Sequence, residues 1–183
     1  GAPQTIRVPG PALAVGLVLG HDVVDEFPHV AKQGPEFIGL LAALEQLKQN
    51  PNVDPAKIAA IGYCFGGTGV LELARTGADI KGVVSFHGGL DSTNPEDGKN
   101  IKTRILILHG ADDPHVSAEG MAAMTKEFNA AAVDWQMISY SGAVHSFSNP
   151  YAGTDKSKGN AYDAKTDKRS WEHMMSFFRE LFE

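Results

Sequence analysis

Cysteine is nearly absent: Cys64 is the only one in 183 residues. It has no partner for an intramolecular disulfide, and a Cys-rich metal site is excluded. A reducing, cytoplasmic setting is the simplest expectation. Cations are also scarce, with 16 Lys and Arg against 22 Asp and Glu and a formal charge of -6. No excess of Lys or Arg is present to neutralise phosphates, so nucleic acid is not the expected partner. A small anionic ligand stays open, because local charge in a pocket can oppose the net charge. Long apolar runs are missing too. The longest near the start, Pro11 to Gly20, is too short to span a bilayer. Only Arg7 precedes it and no clear small-x-small site follows, so neither a membrane anchor nor a secretory signal is expected.

What is present is the composition of a globular protein, 43% hydrophobic and 21% charged. No repeat, low-complexity tract or linker divides the chain, and residues 1–183 are expected to form one domain. Ala12 to Leu19 reads as a buried strand, followed by a polar loop through residue 33. From Pro35, the spacing of Phe37, Leu40, Leu41, Leu44 and Leu47 predicts an amphipathic helix ending near Asn50-Pro51. Lys57 to Tyr63, Gly82 to Phe86, Arg104 to Leu108 and Asp134 to Tyr140 read as strands. Helices are predicted over Gly66 to Thr76, from Ser117 as N-cap, and over Lys168 to Phe182. The last carries Trp171, Met174, Met175, Phe178 and Leu181 on one side, a core stripe. Residues 88–100 form a loop rich in turn formers. This alternation predicts an α/β fold, a mainly parallel sheet with helices on both faces. In such folds sites gather beyond the carboxyl ends of the strands.

One motif carries chemistry. Gly62-Tyr63-Cys64-Phe65-Gly66-Gly67 lies where an apolar strand meets a helix. It has the form of the nucleophile elbow G-x-S-x-G, with Cys in place of Ser. Small residues are expected at Gly62, Gly66 and Gly67, where strand and helix backbones approach each other. The turn would put the sulfur at a helix N-terminus, and the Phe65 N–H could meet a developing oxyanion. A phosphate-binding loop fails because Thr68 stands where its lysine belongs. A dinucleotide loop fails because no third glycine follows Gly67-Thr68-Gly69.

Two further segments supply partners. His109-Gly110-Ala111-Asp112-Asp113-Pro114-His115-Val116 follows the strand RILIL, and Ala143-Val144-His145-Ser146-Phe147 follows the strand ending at Tyr140. The order Cys, Asp, His is the hydrolase order of nucleophile, acid and histidine. A loop Asp usually caps and a loop His is usually surface, so the weight lies in the ordered combination. Tyr63 and Phe147 flank these groups and are expected to line the pocket. His87, ending the strand GVVSFH, either lines the pocket or caps a turn.

The segments GYCFGG, HGADDPHV and AVHSFSNP, with the tail SKGNAYDAKTDKRSWEHMMSFF, resemble the dienelactone hydrolase family of α/β-hydrolases. The resemblance runs from about residue 34 to the end. It implies a carboxymethylenebutenolidase-like hydrolase of small esters or lactones, acting without metal or cofactor through a thioester acyl-enzyme. The family's nucleophile falls on Cys64, its histidine on His145, and its acid on Asp113 rather than Asp112, three residues before Val116. Family substrates carry a carboxylate. Lys165, Lys168 and Arg169 either answer that charge or form a solvated loop and helix start. Family members are longer at the N-terminus, where they hold early strands, a second oxyanion donor and a glutamate touching the resting cysteine. Residues 1–33 show no matching motif, and Glu26 and Glu36 sit in none.

Two rival readings are carried forward. His109, Asp112, Asp113 and His115 crowd into seven residues and could hold a metal, though no H-E-x-x-H helix accompanies them. Alternatively, a family member lacking its N-terminal parts could act as a binding protein. An exposed sheet edge would then invite self-association.

Overall fold

The computed structural model describes Gln4–Arg7, Leu13–Gly16 and residues 35–183, with side chains from residue 39 onward. Ala12, Leu17–Leu19, the loop through residue 33 and Glu26 lie outside the described residues, as do the side chains of Glu36 and Phe37.

Six strands form one sheet in the order β1-β2-β3-β4-β5-β6. They are β1 (Gln4–Arg7), β2 (Leu13–Gly16), β3 (Ala59–Tyr63), β4 (Gly82–Phe86), β5 (Arg104–Gly110) and β6 (Trp135–Tyr140). β1 runs antiparallel to β2, and every later pairing is parallel. Strand β1 was not expected from the sequence, since QTIR is too short to show a period. The helices are α1 (Pro35–Lys48), α2 (Phe65–Arg75), α3 (Ala118–Ala130) and α4 (Ala164–Phe182). None of these helices is long and apolar enough to cross a membrane, among the described residues.

Alternation along the strands builds a core on each face. Ala60, Val83, Ile105 and Ile107 point to one side, against Leu40 and Leu44 of α1, Val70 and Leu71 of α2, and Met124 and Phe128 of α3. Ala59, Ile61, Val84, Leu106 and Leu108 point to the other, against Met174 and Phe178 of α4. Both faces are covered, which is why these strands read as continuous apolar runs rather than alternating ones. Trp171 departs from the expected stripe and stays partly exposed at the edge of α4.

Helix starts follow their caps. Ser117 accepts the Gly120 N–H, as its position predicts. α4 begins a turn earlier than Lys168, because Asp163 accepts the Thr166 N–H. Asp163 also receives Lys156 Nζ at 2.7 Å, and that ammonium donates to the Gly142 carbonyl at 2.6 Å. The Lys156 bond first, and the Thr166 N–H second, hold the Asp163 carboxyl down at about 2.

A charged cluster lies in the core where apolar residues would be expected. Arg75 forks onto Glu127 with two bonds of 2.8 Å and reaches Glu72 at 2.7 Å, with all three side chains buried. Its guanidinium lies 5.4 Å from the Phe128 ring centroid, and Asn100 Nδ2 donates to its carbonyl. Burial raises the Glu72 carboxyl above its ordinary range, although Arg75 opposes this. The cluster joins α2 to α3 and to the turn Pro95–Asn100, where a Cβ on Gly98 would lie 2.7 Å from Glu127 Cγ. Removing the cation alone would leave two buried carboxylates facing each other. Arg75→Met is therefore expected to lower unfolding free energy by about 3–5 kcal/mol in urea titration. Adding Glu72→Leu and Glu127→Leu to that variant should recover most of the loss.

Candidate active site

The site is built at the carboxyl ends of β3, β4, β5 and β6. β3 delivers Cys64 and α2 leaves immediately behind it, so the residue must turn sharply. It does so at φ 55, ψ -120, outside the conformations that β-strand and helix supply. Gly62 makes the turn sterically feasible: a Cβ there would lie 1.8 Å from the Gly66 carbonyl oxygen. Gly67 lies close against β4, where a Cβ would sit 2.8 Å from Ser85 Oγ and 2.9 Å from Gly88 Cα. Gly66 differs from expectation. A Cβ there would meet nothing within 4 Å, so close approach does not explain it. Phe65 opens α2 directly after Cys64.

The three predicted partners meet. Cys64 Sγ stands 3.0 Å from His145 Nε2, and His145 Nδ1 stands 2.9 Å from Asp113 Oδ2. Asp113 is buried, and its second oxygen accepts the His115 N–H at 2.9 Å. Cys64 is exposed, so the sulfur is open to an incoming molecule. A carboxylate on Nδ1 fixes that nitrogen as a donor and turns Nε2 toward the sulfur. The bond to Asp113 raises the His145 imidazole to about 9; burial opposes it and the contact with Cys64 adds to it. Burial pushes the Asp113 carboxyl up, but the bonds from His145 and the His115 N–H outweigh it and leave it below its ordinary value.

His145 is held by a segment far along the chain. Its N–H donates to Gly159 O at 3.1 Å, and Ala161 N–H donates to its carbonyl at 3.1 Å. The His115 ring packs edge-on against it, with centroids 4.9 Å apart, and Asn160 Nδ2 donates to His115 Nε2. Gly110 is required beneath: a Cβ there would lie 2.7 Å from Ala143 O. His115, Ser148, Asn160 and Gly110 were not singled out for these roles. The quoted segments HGADDPHV and AVHSFSNP contain His115, Gly110 and Ser148, but a contact between loops leaves no spacing signal.

The flanking residues divide. Tyr63, 42% exposed, and Phe65, 53% exposed, are the chain neighbours of the cysteine, and the Tyr63 ring stacks on Phe86 with centroids 4.5 Å apart. Burial of its hydroxyl end, helped by Asp167, raises the Tyr63 phenol to about 12. Phe147 is fully buried and packs edge-on beneath His87 at 5.0 Å, so it supports the site from below instead of lining a pocket. His87 is likewise only 2% exposed, so it forms no open pocket wall, and its Nδ1 accepts the Cys64 N–H at 3.2 Å at the elbow turn. Lys165, Lys168 and Arg169 are exposed in the first turns of α4, and Lys168 reaches Glu172 at 4.0 Å. They sit where a solvated helix start puts them. No three His, Cys, Asp or Glu side chains converge as a metal site among the described residues. Within the metal-like cluster, Asp113 is committed to His145, and no hydrogen bond reaches the buried His109 Nδ1.

Comparison with known proteins places this geometry. A relative from Caenorhabditis elegans, described only as uncharacterized, is 38% identical over 148 residues, covering 78% of this chain and 92% of its own. The human carboxymethylenebutenolidase homolog is 28% identical over 107 residues, covering 58% of this chain and 42% of its own. A solved dienelactone hydrolase-like promiscuous phosphotriesterase from metagenomic libraries superposes with a TM-score of 0.74 at 49% identity. That match covers 78% of this chain and 60% of the other. The chain thus spans less than two thirds of two of these three relatives. Residues 27–182 match the model of the dienelactone hydrolase family, and with the elbow and the sheet order in place, the chain belongs to that family.

Proposed function

We propose that this protein hydrolyses small carboxylic esters or lactones through Cys64, His145 and Asp113. The observation that carries the reading is the continuous chain from sulfur to imidazole to carboxylate, 3.0 and 2.9 Å, at a strained strand-to-helix turn. Membership of the dienelactone hydrolase family and a relative described as a carboxymethylenebutenolidase homolog support the reaction class.

Cys64 Sγ attacks the carbonyl carbon, and its proton is carried by His145 Nε2. Asp113 keeps the ring in the tautomer that faces the sulfur and stabilises the imidazolium. The oxyanion that forms is met by the Phe65 N–H at the start of α2. Its collapse breaks the ester C–O bond, the alkoxide takes the proton from His145, and a thioester remains on Cys64. Water then attacks the thioester carbonyl while His145 accepts its proton. The C–S bond breaks, the acid leaves, and the thiol is restored. The exposed Tyr63 and Phe65 side chains, next to Cys64 in the chain, favour a substrate with a flat, apolar body. A phosphotriester is a second electrophile for the same sulfur, supported by the 49% identical phosphotriesterase.

Two outcomes are expected. Cys64→Ala should abolish hydrolysis of a small activated ester without shifting the melting temperature, and Asp113→Asn should lower turnover by about 10⁴-fold. Activity in Cys64→Ala equal to the parent would contradict the assignment. The second outcome concerns stability against pH. The folded His145 pKa lies at about 9 against an ordinary 6.5, so its contribution is fully present below about pH 6.5. That contribution is lost as the pH rises through about 9. The parent's advantage over His145→Asn in urea midpoint should therefore be largest near pH 6.5 and close above pH 9.

A further inference from the structure

His87 has no step in the hydrolytic cycle, yet it touches both halves of the reacting pair. It follows β4 directly, and its ring is buried between the elbow and the loop that carries His145. On the elbow side, the Cys64 N–H reaches His87 Nδ1 at 3.2 Å while also donating to Phe86 O at 3.0 Å. On the loop side, His87 Nε2 stands 2.8 Å from Ser148 Oγ, three residues beyond His145. The ring also meets His145 edge-on at 5.1 Å and Phe147 at 5.0 Å.

The first contact fixes the chemistry of the second. A nitrogen that accepts an amide N–H carries no proton, so Nδ1 is the acceptor and the ring proton lies on Nε2. Nε2–H therefore donates to Ser148 Oγ. Burial first, and the neighbouring charge of His145 second, hold the His87 pKa down at about 4, which keeps the ring neutral at working pH. Backbone satisfaction alone does not call for an imidazole here. The Cys64 N–H already has the Phe86 carbonyl, and an apolar side chain would fill the space with less desolvation. The chain also accepts a left-handed backbone, φ 38, at this non-glycine position.

We propose that His87 is a positioning residue that sets the approach of Cys64 to His145, by bridging the Cys64 N–H to Ser148 on the histidine loop. The 3.0 Å contact between sulfur and Nε2 joins side chains from separate elements, each with rotatable bonds. A bridge from the Cys64 backbone N–H to the Ser148 hydroxyl on the histidine loop takes up part of that freedom, and misplacement by about 1 Å can cost on the order of 10²-fold in rate. The proposal rests on the hydrolase reading of the same site.

The test compares His87→Asn, His87→Leu and Ser148→Ala with the parent. Asn and Leu have the same shape, but only Asn offers an acceptor at the position of Nδ1. Asn also tolerates positive φ better than Leu, so Ser148→Ala, which leaves residue 87 intact, separates the bridge from backbone strain. Two rates are read: kcat and KM on p-nitrophenyl acetate, and alkylation of Cys64 by iodoacetamide, with thermal melting as the folding control. His87→Leu is expected to lose roughly 30- to 100-fold in kcat with KM within about twofold, and to be alkylated more slowly. His87→Asn, which keeps the acceptor for the Cys64 N–H but does not span to Ser148, and Ser148→Ala should each fall about tenfold. Parent-like alkylation in Ser148→Ala, or a loss in His87→Asn as large as in His87→Leu, would overturn the proposal. Should His87→Leu not fold, Ser148→Ala and His87→Asn decide it by the same rates. If the parent shows no ester turnover, the hydrolase reading fails, while the alkylation rates still decide the role of His87.

Discussion

Cys64 must leave a parallel strand and enter a helix within a single residue, and much of the site is arranged around that turn. At φ 55 and ψ -120, the residue takes a conformation that costs on the order of 1–3 kcal/mol and persists only under constraint. The constraint comes from glycine and from the sheet. Gly62 lets the Gly66 carbonyl pass where a side chain would stand, and Gly67 lets α2 lie against β4. The strained residue then presents its sulfur to solvent at a helix N-terminus, with its own N–H held by Phe86 and His87. Strain at this position and access to the sulfur are two sides of one arrangement.

The remaining site groups come from the loops that follow β4, β5 and β6, and each is secured by contacts distant in sequence. Asp113 is fixed by burial and by the His115 N–H. His145 is clamped between Gly159 and Ala161, in a segment whose geometry depends on the Lys156 bonds to Asp163 and Gly142 O. That links the histidine to the start of α4, whose other face packs Met174 and Phe178 into the core. Behind the elbow, the Glu72–Arg75–Glu127 cluster ties the far end of α2 to α3. The helix that carries the elbow is thus anchored at both ends, by close glycine packing at one and by buried charge at the other.

The legible parts of the fold were those governed by local chemistry. β4 follows the expected boundaries because five apolar or small residues are buried on both faces of the sheet. The elbow could be read because its glycines are a steric necessity, and the partners because each follows a strand in hydrolase order. Gly66 shows the limit of that reasoning, since it lies in the same motif without the same crowding. β1 is four residues with no periodicity, and α4 begins in the polar turn Ala164 to Asp167, where hydrophobic spacing gives no sign. The buried cluster and the His87 bridge join residues 52, 23 and 61 positions apart, and only the folded chain brings them together. Residues such as Glu72 and Ser148 look like ordinary polar positions until their partners are known.

The claim on which the account turns is that Cys64 becomes acylated during turnover. Mixing the protein with a small activated ester, quenching in acid within the first turnover and measuring the peptide masses tests this directly. The account predicts an acyl mass increment on the peptide carrying Cys64, removed by hydroxylamine as a thioester would be. Ester turnover with that peptide unmodified at every quench time, or with the acyl group on another residue, would contradict it.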